Sequence, residues 1–452
     1  MTNQTERLNG GKLSRRKFFK ISSVAASAVA LPYYIPASAL GRGGAVAPSE
    51  RIVAGGIGLG GRGSSDLRWM MAESDVQVVA ICDAKKSQRD AVKKMVDAKY
   101  NNNDCATYIG IREFLAERTD INAMVIGTGD RWHAPASIMA MRAGKDVYCE
   151  KPGCFTIAQG RKVVEAAKQY SRIFQTGTQR LSEPNHVFAI QMARSGGLGE
   201  IHTAYADIRW RGGRGQRHDW LPEQPLPPKE EMDWDAWLGA CPWRPYNAGY
   251  AYRGKGPKWN NFHDFATDVA QWGSHTIAQV LAGLDMSKAS PVTFEFSKPG
   301  ADIIARLASG VKIVLVRPAK GVKNSKYWGD RNACGERFDG SEGWAAAADG
   351  YSRPDVSSPA MLSEFKKVVG QYSTRTQRPM NHMRDFLNCV KSRRETVANP
   401  EVMFNSMMIN LAADICERLQ RNLKFDMHKA QFIDDIEANR MCSRAAREPW
   451  QI

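Results

Sequence analysis

From residue 52 onward, short apolar runs alternate with longer stretches in which apolar and polar residues mix. Residues 52–57, 76–81, 123–126, 147–149 and 173–176 are apolar and of strand length. The segments between them are long enough for helices. Strands alternating with helices in this way predict a parallel sheet covered by helices on both faces. Farther along, 292–296, 303–307 and 311–316 are closely spaced strand-like runs. Residues 377–392 and 400–421 read as helices, the second opening just after Pro400.

The first forty residues follow another pattern. Ser14-Arg15-Arg16-Lys17-Phe18-Phe19-Lys20 is a paired-arginine run, and an alanine-rich apolar stretch, 21–31, follows it. Ala37-Ser38-Ala39 then places small residues where a signal peptidase reads. Basic region, apolar region and cleavage site in this order predict an export signal over 1–39. The arginine pair assigns it to the twin-arginine machinery, which carries folded protein. The expected location is the periplasm or cell exterior. Residues 40–50, rich in Gly, Ala and Pro, suit a tether.

The first apolar run leads into Gly58-x-Gly60-x-x-Gly63, then a helical stretch, then the second run ending at Cys82-Asp83. Each piece has a physical task. Gly58 permits the sharp turn from strand to helix, Gly60 lets backbone approach a pyrophosphate, and Gly63 lets the helix pack on the strand. The helix N-terminus offers unpaired N–H groups to phosphate. Asp83, twenty residues past Gly63, can accept hydrogen bonds from ribose hydroxyls. Its charge favours NAD over NADP, although Lys85 and Lys86 keep NADP open. The dinucleotide-binding segment is expected over 51–176. Ligands in such sheets bind beyond the carboxyl ends of the strands.

Composition narrows the picture. The chain has 452 residues, 43% hydrophobic and 24% charged, as a soluble protein with a real core would. Beyond the first forty positions no apolar stretch is long enough to span a membrane. Net charge is +16, of which 1–39 carries +5. The basic residues are scattered and no nucleic-acid motif accompanies them. The densest group, Arg209, Arg211, Arg214 and Arg217, reads as a loop near a ligand mouth or a solvated surface loop. Nine cysteines in no paired spacing exclude a disulfide framework or a zinc ribbon. No metal motif is visible.

At Glu150-Lys151-Pro152 the chain resembles the Gfo/Idh/MocA family of nicotinamide-dependent sugar oxidoreductases. Supporting motifs run in order: Asp130-x-Trp132-His133-Ala134, Gly144-Lys145-Asp146-Val147, Gly177-Thr178-Gln179-Arg180, Trp234-Asp235-x-Trp237-Leu238-Gly239, Arg244-Pro245-Tyr246-Asn247, and Trp272-Gly273-x-His275. The C-terminal stretch through Arg447-x-Pro449-Trp450 resembles the exported bacterial branch, including proteins similar to glucose-fructose oxidoreductases. The resemblance implies an α/β chain. An N-terminal doubly wound Rossmann sheet would precede a C-terminal α+β domain, 177–452, with an open and mostly antiparallel sheet. That second domain would bind substrate and mediate a homo-dimer or tetramer.

Oxidising a secondary alcohol needs a held hydride acceptor and a proton acceptor. The resemblance places Lys151 against the reacting hydroxyl or the nicotinamide ribose, and His275 as general base. Arg62, Thr128, Trp132, His133 and Glu150 join Gly58, Gly60, Gly63 and Asp83 around the cofactor. Arg180, Gln271 and Tyr246 join His275 around the substrate. Two positions depart from the family. Gln271 stands where Asp usually precedes the histidine by one helical turn. It can orient an imidazole without stabilising its cation, so Asp268 or His263 could compensate, or Lys151 could take the larger share. Gly129 replaces the usual proline.

An exported dehydrogenase finds little free NAD, so the expectation is a tightly bound cofactor recycled on a sugar, glycoside or polyol. The alternative is a redox-neutral NAD-dependent glycosidase, lyase or epimerase working through a transient keto-sugar. The Glu150-Lys151-Pro152 and Gly177-Thr178-Gln179-Arg180 motifs rank that second. A non-catalytic NAD- or sugar-binding protein comes third.

Overall fold

Ile52–Ile57 (β1) lies at the centre of a six-stranded parallel sheet. Its partners are Val76–Cys82 (β2), Ala106–Tyr108 (β3), Ala123–Ile126 (β4), Asp146–Cys149 (β5) and Phe174–Thr176 (β6), in the order β3-β2-β1-β4-β5-β6. The short, partly exposed β3 has no apolar run to announce it. The register aligns the strand ends. Ile57 sits opposite both Cys82 and Ile126, Ile126 opposite Cys149, and Cys149 opposite Thr176. The residues that follow, Gly58, Asp83, Gly127, Glu150 and Gly177, therefore share one edge of the sheet.

These statements rest on a computed structural model that describes residues 46–208, 215–252, 256–317 and 335–452. The paired-arginine leader, most of the 40–50 tether, and Arg209, Arg211 and Arg214 lie outside the described residues. Arg217 is half-buried and pairs with Asp219. Up to Arg51 the chain forms a unit of its own, of which Pro48–Glu50 is described as a single 3-10 turn. Ile52–Ile452 is the second unit.

A nine-stranded sheet follows: Ile201–Asp207 (β7), Val292–Glu295 (β8), Ile303–Arg306 (β9), Lys312–Val316 (β10), Gly335–Gly340 (β11), Gly343–Ala348 (β12), Asp355–Val356 (β13), Leu423–Asp426 (β14) and Gln431–Phe432 (β15). Only β7 and β10 pair in parallel; the other pairings are antiparallel. Alternate residues of each strand point to opposite faces. Ala204, Ala206, Ile313, Leu315, Phe338, Ala345 and Ala347 join the main core with the helices Pro184–Arg194, Ala270–Gly283 and Pro400–Leu419. Val314, Val316, Ala346 and Ala348 form a separate cluster on the other side.

The first sheet is completed by chain from far along the sequence. Met383, Phe386, Leu387 and Val390 of the helix His382–Ser392 pack with Ile52, Val78, Val125 and Tyr148. An ion-pair network pins this helix. Arg384 and Lys391 both reach Asp75, at 2.7 and 2.5 Å, and Arg384 also reaches Glu73 at 3.1 Å. Among the described residues no helix is long and apolar enough to cross a membrane, no group of side chains could hold a metal, and every cysteine is free.

Burial alone would raise the Asp75 carboxyl, but hydrogen bonds from Arg384 and Lys391 override it and hold it at about 2. A depressed carboxylate stabilises the fold above its unfolded value near 4 and loses that contribution as pH falls toward 2. Asp75→Asn is expected to cost about 1 kcal/mol at neutral pH, a figure discounted for solvent screening. It should also flatten the acid limb of the melting curve between about pH 4 and pH 2. Thermal melting across that range measures both.

Candidate active site

The turn after β1 is built on crowding. Gly58 has φ +68° and follows the strand directly. A Cβ on Gly63 would come 2.8 Å from the Gly58 carbonyl oxygen, and one on Gly127 would come 2.3 Å from the Gly63 Cα. Strand, turn and helix thus touch through backbone. Gly60 differs: a Cβ there would meet nothing within 4 Å. It caps the N-terminus of Gly61–Ala72 and faces open space.

That space is a cavity of about 750 Å³ at the carboxyl edge of the parallel sheet. Gly58, Gly60, Arg62, Asp83, Thr128, Trp132 and Gln271 line it. The Asp83 carboxylate accepts from the Leu59 and Lys85 backbone N–H groups, each at 2.9 Å, which fixes it at the end of β2. Burial raises its pKa and those two hydrogen bonds oppose the rise. Open space beside Gly60, a helix N-terminus and a held carboxylate fit a dinucleotide's phosphates and ribose. The Lys85 ammonium reaches the Ala251 carbonyl at 3.0 Å. The roof of the cavity comes from the second half of the chain, through Trp237, Tyr252 and Trp259.

Trp132 lines the cavity and donates to the Ala236 carbonyl at 3.0 Å. His133 is buried, with one ring nitrogen 2.6 Å from the Pro152 carbonyl and the other 2.8 Å from that of Thr128. It joins the loops after β4 and β5. Arg62 bridges two carboxyls, Glu150 and the fully buried Asp66, each at 3.1 Å. Burial, and then the Glu150 charge, push Asp66 well up, which keeps it protonated near neutrality. Glu150 also accepts from the Lys151 backbone N–H at 3.1 Å and from Gln179 at 3.1 Å.

Lys151 leaves the end of β5 and donates from Nζ to the Gln271 carbonyl at 2.9 Å. Trp272 gathers the remaining groups. Lys151 Nζ lies 5.4 Å from its ring centroid, the Arg180 guanidinium 5.6 Å, and the His275 ring 5.9 Å. Arg180 donates to His275 Nε2 at 3.1 Å and binds Asp349 at 2.6 Å. Burial, then the cations Arg180, Lys151 and Arg62, drive the His275 pKa well below its usual value. Its imidazole is neutral, and taking up a proton there is disfavoured.

Gln271 turns its amide nitrogen to Asp130, at 2.9 and 2.6 Å to the two oxygens, and Thr267 N–H donates to the same carboxylate. Asp268 accepts from Gln216, and His263 lies against Arg444 and His218. Tyr246 packs edge-on against Trp234 at 5.3 Å, in an aromatic cluster that reaches the cavity through Trp237 and Trp259 but not through Tyr246 itself. Sequence reasoning passed over four residues of this region. Asp66 lies one helical turn from Arg62, a spacing that could have paired them. Arg131 and Trp272 sit inside quoted motifs. Asp349 follows β12 and gives no local signal.

Two family models match the chain: oxidoreductase family, NAD-binding Rossmann fold, over residues 52–178, and oxidoreductase family, C-terminal alpha/beta domain, over 206–452. Curated relatives include a glycosyl hydrolase family 109 protein of Shewanella baltica, 31% identical over 182 residues. An alpha-N-acetylgalactosaminidase of Shewanella oneidensis is 30% identical over 184 residues. Each alignment covers 37% of this chain and 38% of the relative. Among solved structures, the WlbA dehydrogenase of Bordetella pertussis, in complex with NADH and UDP-GlcNAcA, superposes with TM-score 0.57 at 13% identity, covering 83% of this chain and 98% of that one. The aldose-aldose oxidoreductase of Caulobacter crescentus gives 0.51 at 16% identity, covering 83% and 100%. These two share the fold.

Gly60→Ala is expected to leave the melting temperature within about 2 °C, because the new Cβ meets no protein atom. It should weaken NAD binding about tenfold by occupying the phosphate approach. Fluorescence titration with NADH and a melting curve on the same sample check the pair of outcomes.

Proposed function

The chain belongs to the Gfo/Idh/MocA oxidoreductase family, and we propose that it oxidises a hydroxyl of a sugar, glycoside or polyol with a nicotinamide dinucleotide retained in its cavity. The observation that carries this reading is the convergence of Lys151, Arg180, Trp272 and His275 beside the dinucleotide cavity. When bound, the dinucleotide supplies the hydride acceptor. The chain supplies the rest. Lys151 hydrogen-bonds the reacting hydroxyl and relays its proton as the carbon becomes a carbonyl. Arg180, steadied by Asp349, and neutral His275 bind neighbouring hydroxyls, with the Trp272 ring as an apolar face for the sugar. The low basicity of His275 gives Lys151 the larger share of proton transfer.

Asp83 favours NAD, since a 2′-phosphate would meet its charge. The paired-arginine leader supports export of the folded chain with its cofactor aboard. The reduced dinucleotide would then be reoxidised in place by a second carbonyl substrate. Assembly through the outer face of the nine-stranded sheet remains the family's implication.

The curated relatives favour a second reading. A family 109 glycosyl hydrolase and an alpha-N-acetylgalactosaminidase suggest that the hydride returns within one turnover. Oxidation to a ketone acidifies the neighbouring C–H, a glycosidic oxygen leaves by elimination, water adds, and the ketone is reduced again. Atoms and electrons balance with water as the only co-reactant.

Aryl glycosides and free sugars separate the two readings. Lasting NADH absorbance with a keto-sugar product marks the oxidoreductase. Released aglycone without net reduction, and solvent deuterium at the carbon beside the transient ketone, marks the hydrolase. In either case Lys151→Ala is expected to slow turnover about 100-fold or more while the protein still melts cooperatively. Unchanged turnover would remove Lys151 from the mechanism.

A further inference from the structure

Arg131 is only 6% exposed. Its guanidinium donates from Nε and Nη2 to the Trp237 carbonyl, at 3.1 and 2.6 Å. It lies 3.9 Å from the Trp237 ring centroid and 5.1 Å from that of Phe265. Among the described residues none of these hydrogen bonds reaches a carboxylate. The adjacent Asp130 directs its oxygens to Thr267 and Gln271 instead. Burial pushes the Arg131 pKa down to about 10, and the Cys241 and Asp130 charges offset that only in part. A buried guanidinium in this state is costly unless an anion meets it.

The surroundings say where that anion would lie. Arg131 lines the same cavity as Gly58, Gly60 and Thr128. A Cβ on Gly129 would come 2.7 Å from Arg131 Nη1 and 3.3 Å from the Trp259 ring. The missing side chain at Gly129 therefore makes room for this guanidinium. Carboxylates occupy other parts of the region, Asp83 after β2 and Glu150 after β5, and would repel an anion there. Arg62 is held by Glu150 and Asp66. Two other cations line the cavity, Lys85, tied to the Ala251 carbonyl at 3.0 Å, and the exposed Lys258; Arg131 is the buried one, and it shares the cavity with the helix N-terminus at Gly60.

We propose that Arg131 is an anion-binding residue for the diphosphate of the dinucleotide, and that Gly129, Trp237 and Trp259 hold it in place for that contact. The inference rests on the dinucleotide reading above. It also gives a mechanism for retention. Trp237 and Trp259 belong to the segment that roofs the cavity. That segment is stitched to the Rossmann edge by Lys86 N–H to the Glu231 carbonyl at 2.9 Å and Asp233 N–H to the Ala84 carbonyl at 3.1 Å. A diphosphate bound to Arg131 joins the roof to the glycine turn, so release requires the roof to lift.

Calorimetry with NAD, ADP and adenosine on the full chain, freed of endogenous nucleotide, tests this. Arg131→Gln is expected to weaken NAD and ADP about tenfold or more and adenosine less than about threefold, with Arg131→Lys recovering part of the loss. NADH dissociation should quicken in step. Gly129→Ala, which leaves the guanidinium in the sequence but crowds it, should repeat the diphosphate-selective loss. That variant, together with a steeper salt dependence for ADP than for adenosine in the unaltered protein, decides the matter if Arg131→Gln fails to fold. Equal losses for ADP and adenosine, or none, would overturn the proposal. An unaltered protein that binds neither NAD nor ADP would overturn the dinucleotide reading itself.

Discussion

Gly58, Gly63 and Gly127 bring three backbone segments into direct contact, and the cavity exists because they do. Any side chain at Gly63 or Gly127 would push the first helix away from the ends of β1 and β4. The helix N-terminus would then no longer face the groove at which strands of equal register end. Every cofactor-side feature hangs on that packing: the open approach beside Gly60, the fixed Asp83 carboxylate, and Thr128 against the turn.

Around this turn, polar and charged groups are linked in short circuits. Arg62 joins Asp66 to Glu150, Glu150 holds the Lys151 backbone, and Lys151 reaches the helix Ala270–Gly283 through Gln271. Gln271 returns to Asp130 at the start of the helix after β4. A second circuit runs from Asp349 through Arg180 to His275. Desolvated groups of this kind hold position well only when each partner is satisfied. The circuits cross between the first sheet and the second half of the chain, so the placing of Lys151 and His275 depends on both.

The departure at Gln271 acquires a physical meaning in this setting. An aspartate there would put a second carboxylate beside buried Asp130, and burial penalises such a pair. Glutamine instead donates both its short contacts to that carboxylate. The imidazole of His275 has cations as its charged neighbours, which leaves it neutral. Gly129 has a comparable explanation in the guanidinium and indole that fill the space beside it.

The sequence by itself determined what depends on neighbours along the chain. The β1, β2, β4, β5 and β6 runs, the glycine turn, Asp83 at a strand end and the helix after Pro400 are set by local apolar pattern and backbone sterics, and the structure has them nearly residue for residue. The same locality puts Asp83 and Lys151 just past the ends of β2 and β5. Only the tertiary structure decided which distant groups meet. No spacing rule reveals that Arg180 finds Asp349, that Gln271 turns to Asp130, that Tyr246 packs against Trp234, or that the helix His382–Ser392 completes the core of the first sheet. Those outcomes follow from how the second half of the chain folds back over the first. Desolvation then fixes the charge of each buried group, and burial is a property no isolated stretch of sequence possesses.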